Sequence, residues 1–193
     1  TSQSPAQLSN ALLNDANGNQ WALVATSVIS AKALGGAEGS DISAVVQACV
    51  NFRKGGTVLL DFTSAIMSST VISTDNTVII EGLGIGDTII SASVSMGDMF
   101  VFNTASTGSN LNPSGGILKM SLDAAGLSKR CVKTVSTSFG KFDQIRLRGA
   151  LEDHFLATTE NQKQSSQQNS YGTIDIIING VANGFHGTGS QLA

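Results

Sequence analysis

The chain is short of charge. Of its 193 residues, 13% are Asp, Glu, Lys or Arg, where about 25% is usual for soluble proteins. The formal net charge is -3. No cluster of Lys and Arg supplies the footprint that nucleic acid or an anionic membrane surface requires, so neither is expected as a partner. Cysteine is scarce too: Cys49 and Cys131 lie far apart, lack metal-ligand or redox spacing, and read as two buried free thiols. No metal and no cofactor is expected. Apolar runs fall well short of the ~20 residues of a membrane span, so membrane insertion is not expected either. Proline occurs twice, which leaves the chain free to form many hydrogen-bonded strands.

What stands in place of charge is neutral and polar: 25 Ser, 16 Thr, 13 Asn and 10 Gln, with 21 Gly. A hydrophobic share of 41% is too high for a disordered chain. The length allows one domain, which buries roughly 70% of the unfolded-chain surface without staples.

Ser4 and Pro5 predict the start of a short helix running to Leu13, with Leu8, Ala11 and Leu12 on one face. Asn14 to Asn19 break it, and Trp21 to Ile29 reads as a strand. Apolar residues at 42, 45, 46, 49 and 50 then predict an amphipathic helix over 41–52, with Ser40 as N-cap and Asp41 in the first turn. Gly55-Gly56 ends it. From Thr57 onward only short β-rich runs follow, among them 57–62, 69–72, 77–80, 88–90, 99–102, 116–122, 142–147 and 173–178. With no further helical pattern a βαβ sheet is excluded; sandwich, barrel and solenoid remain.

Repeats favour the solenoid. Met120, Ile145 and Ile176 align, as do Leu122, Leu147 and Ile178, and each segment is followed by a second small strand at Cys131-Val132, Phe155-Leu156 and Phe185. The polar stretch Asn161–Ser170 takes up the extra length of the last repeat. In a parallel coil, like positions stack about 4.8 Å apart. Ser, Thr, Asn and aliphatic residues tolerate that stacking, whereas like charges repel. The helix over 41–52 lies just before the first strand, where it can cover the open end of the coil. The expected fold is all-β, a right-handed parallel β-helix with an N-terminal capping α-helix and a short N-terminal helix and strand. Residues 1–35 are expected to form an attachment or oligomerisation segment and 36–193 the solenoid.

The stretch Gly36-Ala37-Glu38-Gly39-Ser40-Asp41-Ile42-Ser43 through Cys49, with Gly55-Gly56-Thr57-Val58 and Val78-Ile79-Ile80-Glu81-Gly82-Leu83-Gly84, resembles the N-terminal signature of pectate-lyase-like β-helix proteins. That family includes polysaccharide lyases and hydrolases and the trimeric tailspikes and tail fibres of bacteriophages. The resemblance implies a virion tail spike or tail-fibre-type homotrimer that attaches to bacterial surface polysaccharide. Its N-terminal segment would join other virion tail proteins. The alternative is a secreted, extracellular polysaccharide lyase or glycoside hydrolase. The family's consecutive Asp residues and its Pro-Ala-Gly-like turn are replaced here by Ser40-Asp41 and Asp61–Ala65.

Candidate chemistry is sparse. Gly82-Leu83-Gly84-Ile85-Gly86-Asp87 has Asp87 where a dinucleotide loop needs its third Gly, and a strand in place of the following helix, so it reads as a turn between strands. Asp153, His154 and His186 are the candidate catalytic residues: the repeat places the two histidines near equivalent positions of successive coils, with a carboxylate beside them for acid–base work. No complete catalytic motif surrounds them. Any activity would be that of a polysaccharide depolymerase. Arg146 and Arg148 alternate with Ile145 and Leu147, so both point away from the core and are candidate ligand-binding residues, for anionic sugar or for a neighbouring subunit.

Overall fold

The computed structural model describes residues 12–14, 20–22, 28–52, 55–74, 77–103, 115–137, 140–158, 170–178 and 182–188. The chain folds as an all-β solenoid of parallel strands. Strands β3 (Val28–Ser30), β4 (Gly55–Leu59), β5 (Ser64–Met67), β7 (Thr77–Glu81), β8 (Ile89–Ala92), β10 (Gly116–Asp123), β12 (Lys141–Arg148), β14 (Ser170–Tyr171) and β15 (Ile174–Ile177) form one wall. Strands β6 (Val71–Thr74), β9 (Met96–Asn103), β11 (Ser128–Val135), β13 (Asp153–Thr158) and β16 (Asn183–Thr188) form the other, stacked in that order. The helix α1 (Ser43–Phe52) lies between β3 and β4 in the chain. Strand β3, inside the stretch read as an attachment segment, pairs with β4 in the first wall.

The first wall is creased. One half of β10 pairs with β7 and the other half with β8, so a single strand spans both pieces of the coil before it. The crease falls at Lys119 and, one coil on, at Gln144, with φ of 55° and 53°. Both sit between register pairs, Leu118 with Asp143 and Met120 with Ile145. In the preceding coil this corner is Gly82. A Cβ there would press on the Lys119 carbonyl and stand 2.9 Å from the Cβ atoms of Met120 and Thr88. Glycine at 82 is therefore required by close approach. The loop behind it is a turn, as expected, closed by Thr88, whose Oγ1 accepts from the Leu83 amide at 2.9 Å and donates to the Phe62 carbonyl at 2.9 Å.

The alternating apolar residues fill the lumen. Ile80, Ile90, Ile117, Met120, Leu122, Phe142, Ile145 and Leu147 are buried from the first wall, and Phe100, Phe102, Val132 and Phe155 from the second. Towards the last coils the filling becomes aromatic. Phe142 stacks on Tyr171 (19° between planes) and Phe155 on Phe185 (14°), and the two columns meet edge to face.

The N-terminal end of the coil is closed strand by strand. Beside β4 lies β3. Beside β5 lies the loop before the helix: the Gly39 amide donates to the Ser64 carbonyl, the Ile66 amide to the Ser40 carbonyl, and the Ile42 amide to the Ile66 carbonyl. Beside β6 lies α1, whose Gln47 side chain acts as a strand in miniature. Its Oε1 accepts from the Ile72 amide at 2.6 Å and its Nε2 donates to the Ile72 carbonyl at 2.8 Å. The capping role expected for the helix is thus met, with a change at its start. The Asp41 carboxylate accepts from the Ser43 amide at 3.0 Å, while the Ser40 hydroxyl turns back to the Ala37 carbonyl. Asp41 also accepts from Ser68 in the β5–β6 corner, which fastens the helix start to the coil.

Three expectations are corrected. Leu12–Asn14 is not the end of a helix but strand β1, antiparallel to β2 (Gln20–Ala22), with Leu13 opposite Trp21. So short a helix is marginal alone, and strand pairing supplies the backbone partners instead; the rest of the predicted helix, residues 4–11, lies outside the described residues. Strand β5 is missing from the sequence reading, because Ser-Ala-Ile-Met carries no β-branched alternation and is held by pairing to β8. Finally, Ile145 pairs with Ile174 and Leu147 with Ile176, two residues from the alignment proposed above. A slip of two keeps the same face inward, so periodicity alone could not detect it.

Candidate functional site

The second wall begins with a polar column. Asp98, Arg130, Asp153 and Asn183 are successive register partners on β9, β11, β13 and β16. Each stands two residues before the inward-facing Phe100, Val132, Phe155 or Phe185 of the same strand. The Arg130 guanidinium donates to Asp98 (Nη1–Oδ1 3.0 Å), to Asp153 (Nε–Oδ2 3.3 Å) and, through Nη2, to Glu152. Glu152 also holds Lys129 at 2.8 Å. The other oxygen of Asp153 accepts from Asn183 Nδ2 at 3.0 Å and faces His186 Nδ1 at 3.1 Å. Burial raises the Asp153 pKa, but the hydrogen bonds from Asn183, Arg130 and His186 outweigh it and hold the carboxyl below its ordinary value. A carboxylate kept ionised on an ion-paired strand start can orient the imidazole of His186, whose side chain is half exposed.

His154 does not join this group. It is fully buried, with Nδ1 at 2.8 Å from the Asn183 carbonyl, so this nitrogen carries the hydrogen. Nε2 faces the interior with no hydrogen-bond partner among the described residues. Met99, Cys131 and His154 each fall between a surface register pair and a core register pair, and all three are fully buried. The two histidines are therefore not equivalent, for His186 pairs with Leu156. Of the three candidate catalytic residues the structure brings together Asp153 and His186 and places His154 in the lumen.

Arg146 and Arg148 point outward, as the alternation requires, but both are matched by carboxylates. Arg146 Nε lies 2.7 Å from Asp175 Oδ2, and Arg148 Nε 2.9 Å from Asp123 Oδ2. Each pair is again a register pair across adjacent coils. Arg130, Asp98, Glu152 and Asn183 were absent from the sequence candidates. The signal for three of them was available, since Asp98, Arg130 and Asn183 share with Asp153 the same offset from the inward residue of their rung. Cys49 and Cys131 are buried free thiols, as expected, and burial pushes both up to about 12. Among the described residues no group of His, Cys, Asp and Glu is placed to hold a metal ion, and no helix is long and apolar enough to cross a membrane.

No protein-family model matches the chain, and no curated protein is significantly similar to it. Among solved structures it is similar to the ORF18 protein of Geobacillus virus E2, with a TM-score of 0.62 and 16% identity. The match covers 85% of this chain and 39% of that one, so the chain spans well under half of the viral protein's length. At that identity the likeness is one of fold.

Proposed function

We propose that the chain is a virion component of the tail-spike or tail-fibre type, built on a pectate-lyase-like solenoid, that attaches to bacterial surface polysaccharide. The observation that carries this reading is the solenoid fold shared with a protein of a bacterial virus. The walls suit the role. Arg130, Arg146 and Arg148 are each neutralised by a carboxylate of an adjacent coil, which leaves these positions without a net charge to attract ions. In this reading the protein works as a homotrimer, and residues 1–35 join it to other tail proteins. Sedimentation together with adsorption to host cells tests it. The expected result is a trimer that binds cells carrying surface polysaccharide and not cells stripped of it; a monomer that binds neither overturns it.

A second reading is favoured by one contact, that of Asp153 with His186. An oriented, half-exposed imidazole is the arrangement a general base needs, and it keeps a polysaccharide lyase or hydrolase in view. New reducing ends or unsaturated products, lost in His186→Gln, would establish it. A digest unchanged by that substitution removes it.

A further inference from the structure

Where two successive turns stack, the surface sinks into an open depression of about 550 Å³ lined by Asp123, Ala125, Gly126, Arg148, Ala150 and Leu151. Its floor carries nothing larger than a methyl group, because the backbone occupies the space: Gly126 donates its amide to the Gly149 carbonyl at 2.8 Å, turn upon turn. On its flank Arg148 directs Nε and Nη2 to one oxygen, Oδ2 of Asp123, at 2.9 Å each. The other oxygen, Oδ1, accepts from the Ala125 amide at 2.8 Å. The remaining guanidinium N–H groups have no partner among the described residues, and the carboxylate keeps free lone pairs. Leu151 stands beside them, 51% exposed.

From this geometry we infer a binding site for a neutral sugar ring bearing vicinal hydroxyls. The inference rests on the polysaccharide-attachment reading above and gives it a place and a ligand class. The ion pair carries no net charge, so it has little to draw an anion, and an anionic group on the free guanidinium N–H groups would stand beside the Asp123 carboxylate and be repelled by it. Neighbouring hydroxyls meet no such repulsion. One accepts from the guanidinium while the other donates to the carboxylate, both charge-assisted. The side-chain-poor floor lets the ring approach, and Leu151 covers its C–H face.

The test uses the full chain with maltoheptaose and mannotriose as neutral probes and oligogalacturonate as the acidic one. The blocking variant is Ala125→Trp. Ala125 already has φ of 54°, so a second L-residue there adds little backbone strain. Leu151→Ser serves as the milder variant should the first not fold. Expected is binding of a neutral probe that changes less than about twofold between low and high salt and weakens about tenfold in Ala125→Trp at unchanged melting temperature. Binding of oligogalacturonate alone with steep salt dependence, binding undiminished in both variants, or no binding of either neutral probe overturns the site. Wild-type adsorption to cells separates the two claims: if Ala125→Trp still adsorbs, the site fails and attachment stands, and if wild type does not adsorb, attachment itself fails.

Discussion

Arg130 on β11 and Asp153 on β13 are register partners across adjacent coils, and the guanidinium Nε stands 3.3 Å from the carboxylate. Asp98 is the partner of Arg130 on the other side, at 3.0 Å, so the column alternates in sign from coil to coil. A solenoid cannot stack like charges at a spacing of about 4.8 Å, but it can stack opposite ones. The Arg130 and Asp153 side chains are 19% and 7% exposed. Removing Arg130 therefore strands carboxylates that water barely reaches. Arg130→Met is expected to cost about 3 kcal/mol, read as a fall in the urea midpoint. Arg146→Met breaks a pair that is 40% and 44% exposed and is expected to cost under about 1 kcal/mol. Equal costs would show that burial does not set the worth of these pairs.

The same column explains how far the sequence could be read. Strands with strong alternation, such as Gly116–Asp123 and Lys141–Arg148, were legible, because inward Met120, Leu122, Ile145 and Leu147 recur at a fixed step. The capping helix was legible from its 3.6-residue pattern. What escaped was whatever depends on neighbours rather than on local pattern. Ser64–Met67 becomes a strand through β8 and the Gly39–Ile42 loop. His154 and its neighbour Phe155 are both fully buried, a local break in strict alternation that the sequence pattern does not announce. The outward role of Arg148 was correctly placed, yet its partner Asp123 emerges only once the coils are stacked.

Acid is expected to weaken the fold from the carboxylate side. Asp41 and Asp153 are raised by burial and lowered further by hydrogen bonds, and Glu38 and Glu152 are lowered by the Ser64 amide and by Lys129 respectively. All four lie below their ordinary values in the folded state. Groups shifted that way add stability that is complete above their unfolded pKa, about 4, and is lost as pH falls through the folded value. The urea midpoint should thus stay level from pH 7 to about 5 and fall below about 4. Asp153→Asn should shallow that fall. A midpoint that rises on acidification contradicts the direction of these shifts.

Gly82 tests the creased corner. Replacing it with Ala drives a Cβ to 2.9 Å from both Met120 Cβ and Thr88 Cβ, atoms that the stacked coils cannot move aside. Gly82→Ala is expected to cost about 2–3 kcal/mol through overpacking. Gly126→Ala meets nothing within 4 Å and pays only for its φ of 68°, about 1 kcal/mol. Thermal unfolding of the two variants ranks them; Gly126→Ala falling as far as Gly82→Ala would place the cost in backbone conformation instead.

Gln47 tests whether the helix protects the edge of the second wall. Strand β6 is the last of that sheet, and among the described residues it pairs only with β9. Its Ile72 is 47% exposed, and both of its backbone groups are bonded by the Gln47 amide. In Gln47→Leu those groups turn to water, so the stability cost is small, about 1 kcal/mol. The larger consequence is an edge with a free donor, a free acceptor and an exposed isoleucine, which is the template for strand addition. Light scattering of Gln47→Leu should therefore rise with protein concentration under conditions where wild type stays constant. A variant that scatters like wild type would mean that the helix backbone, and not this one side chain, keeps neighbouring chains off the edge.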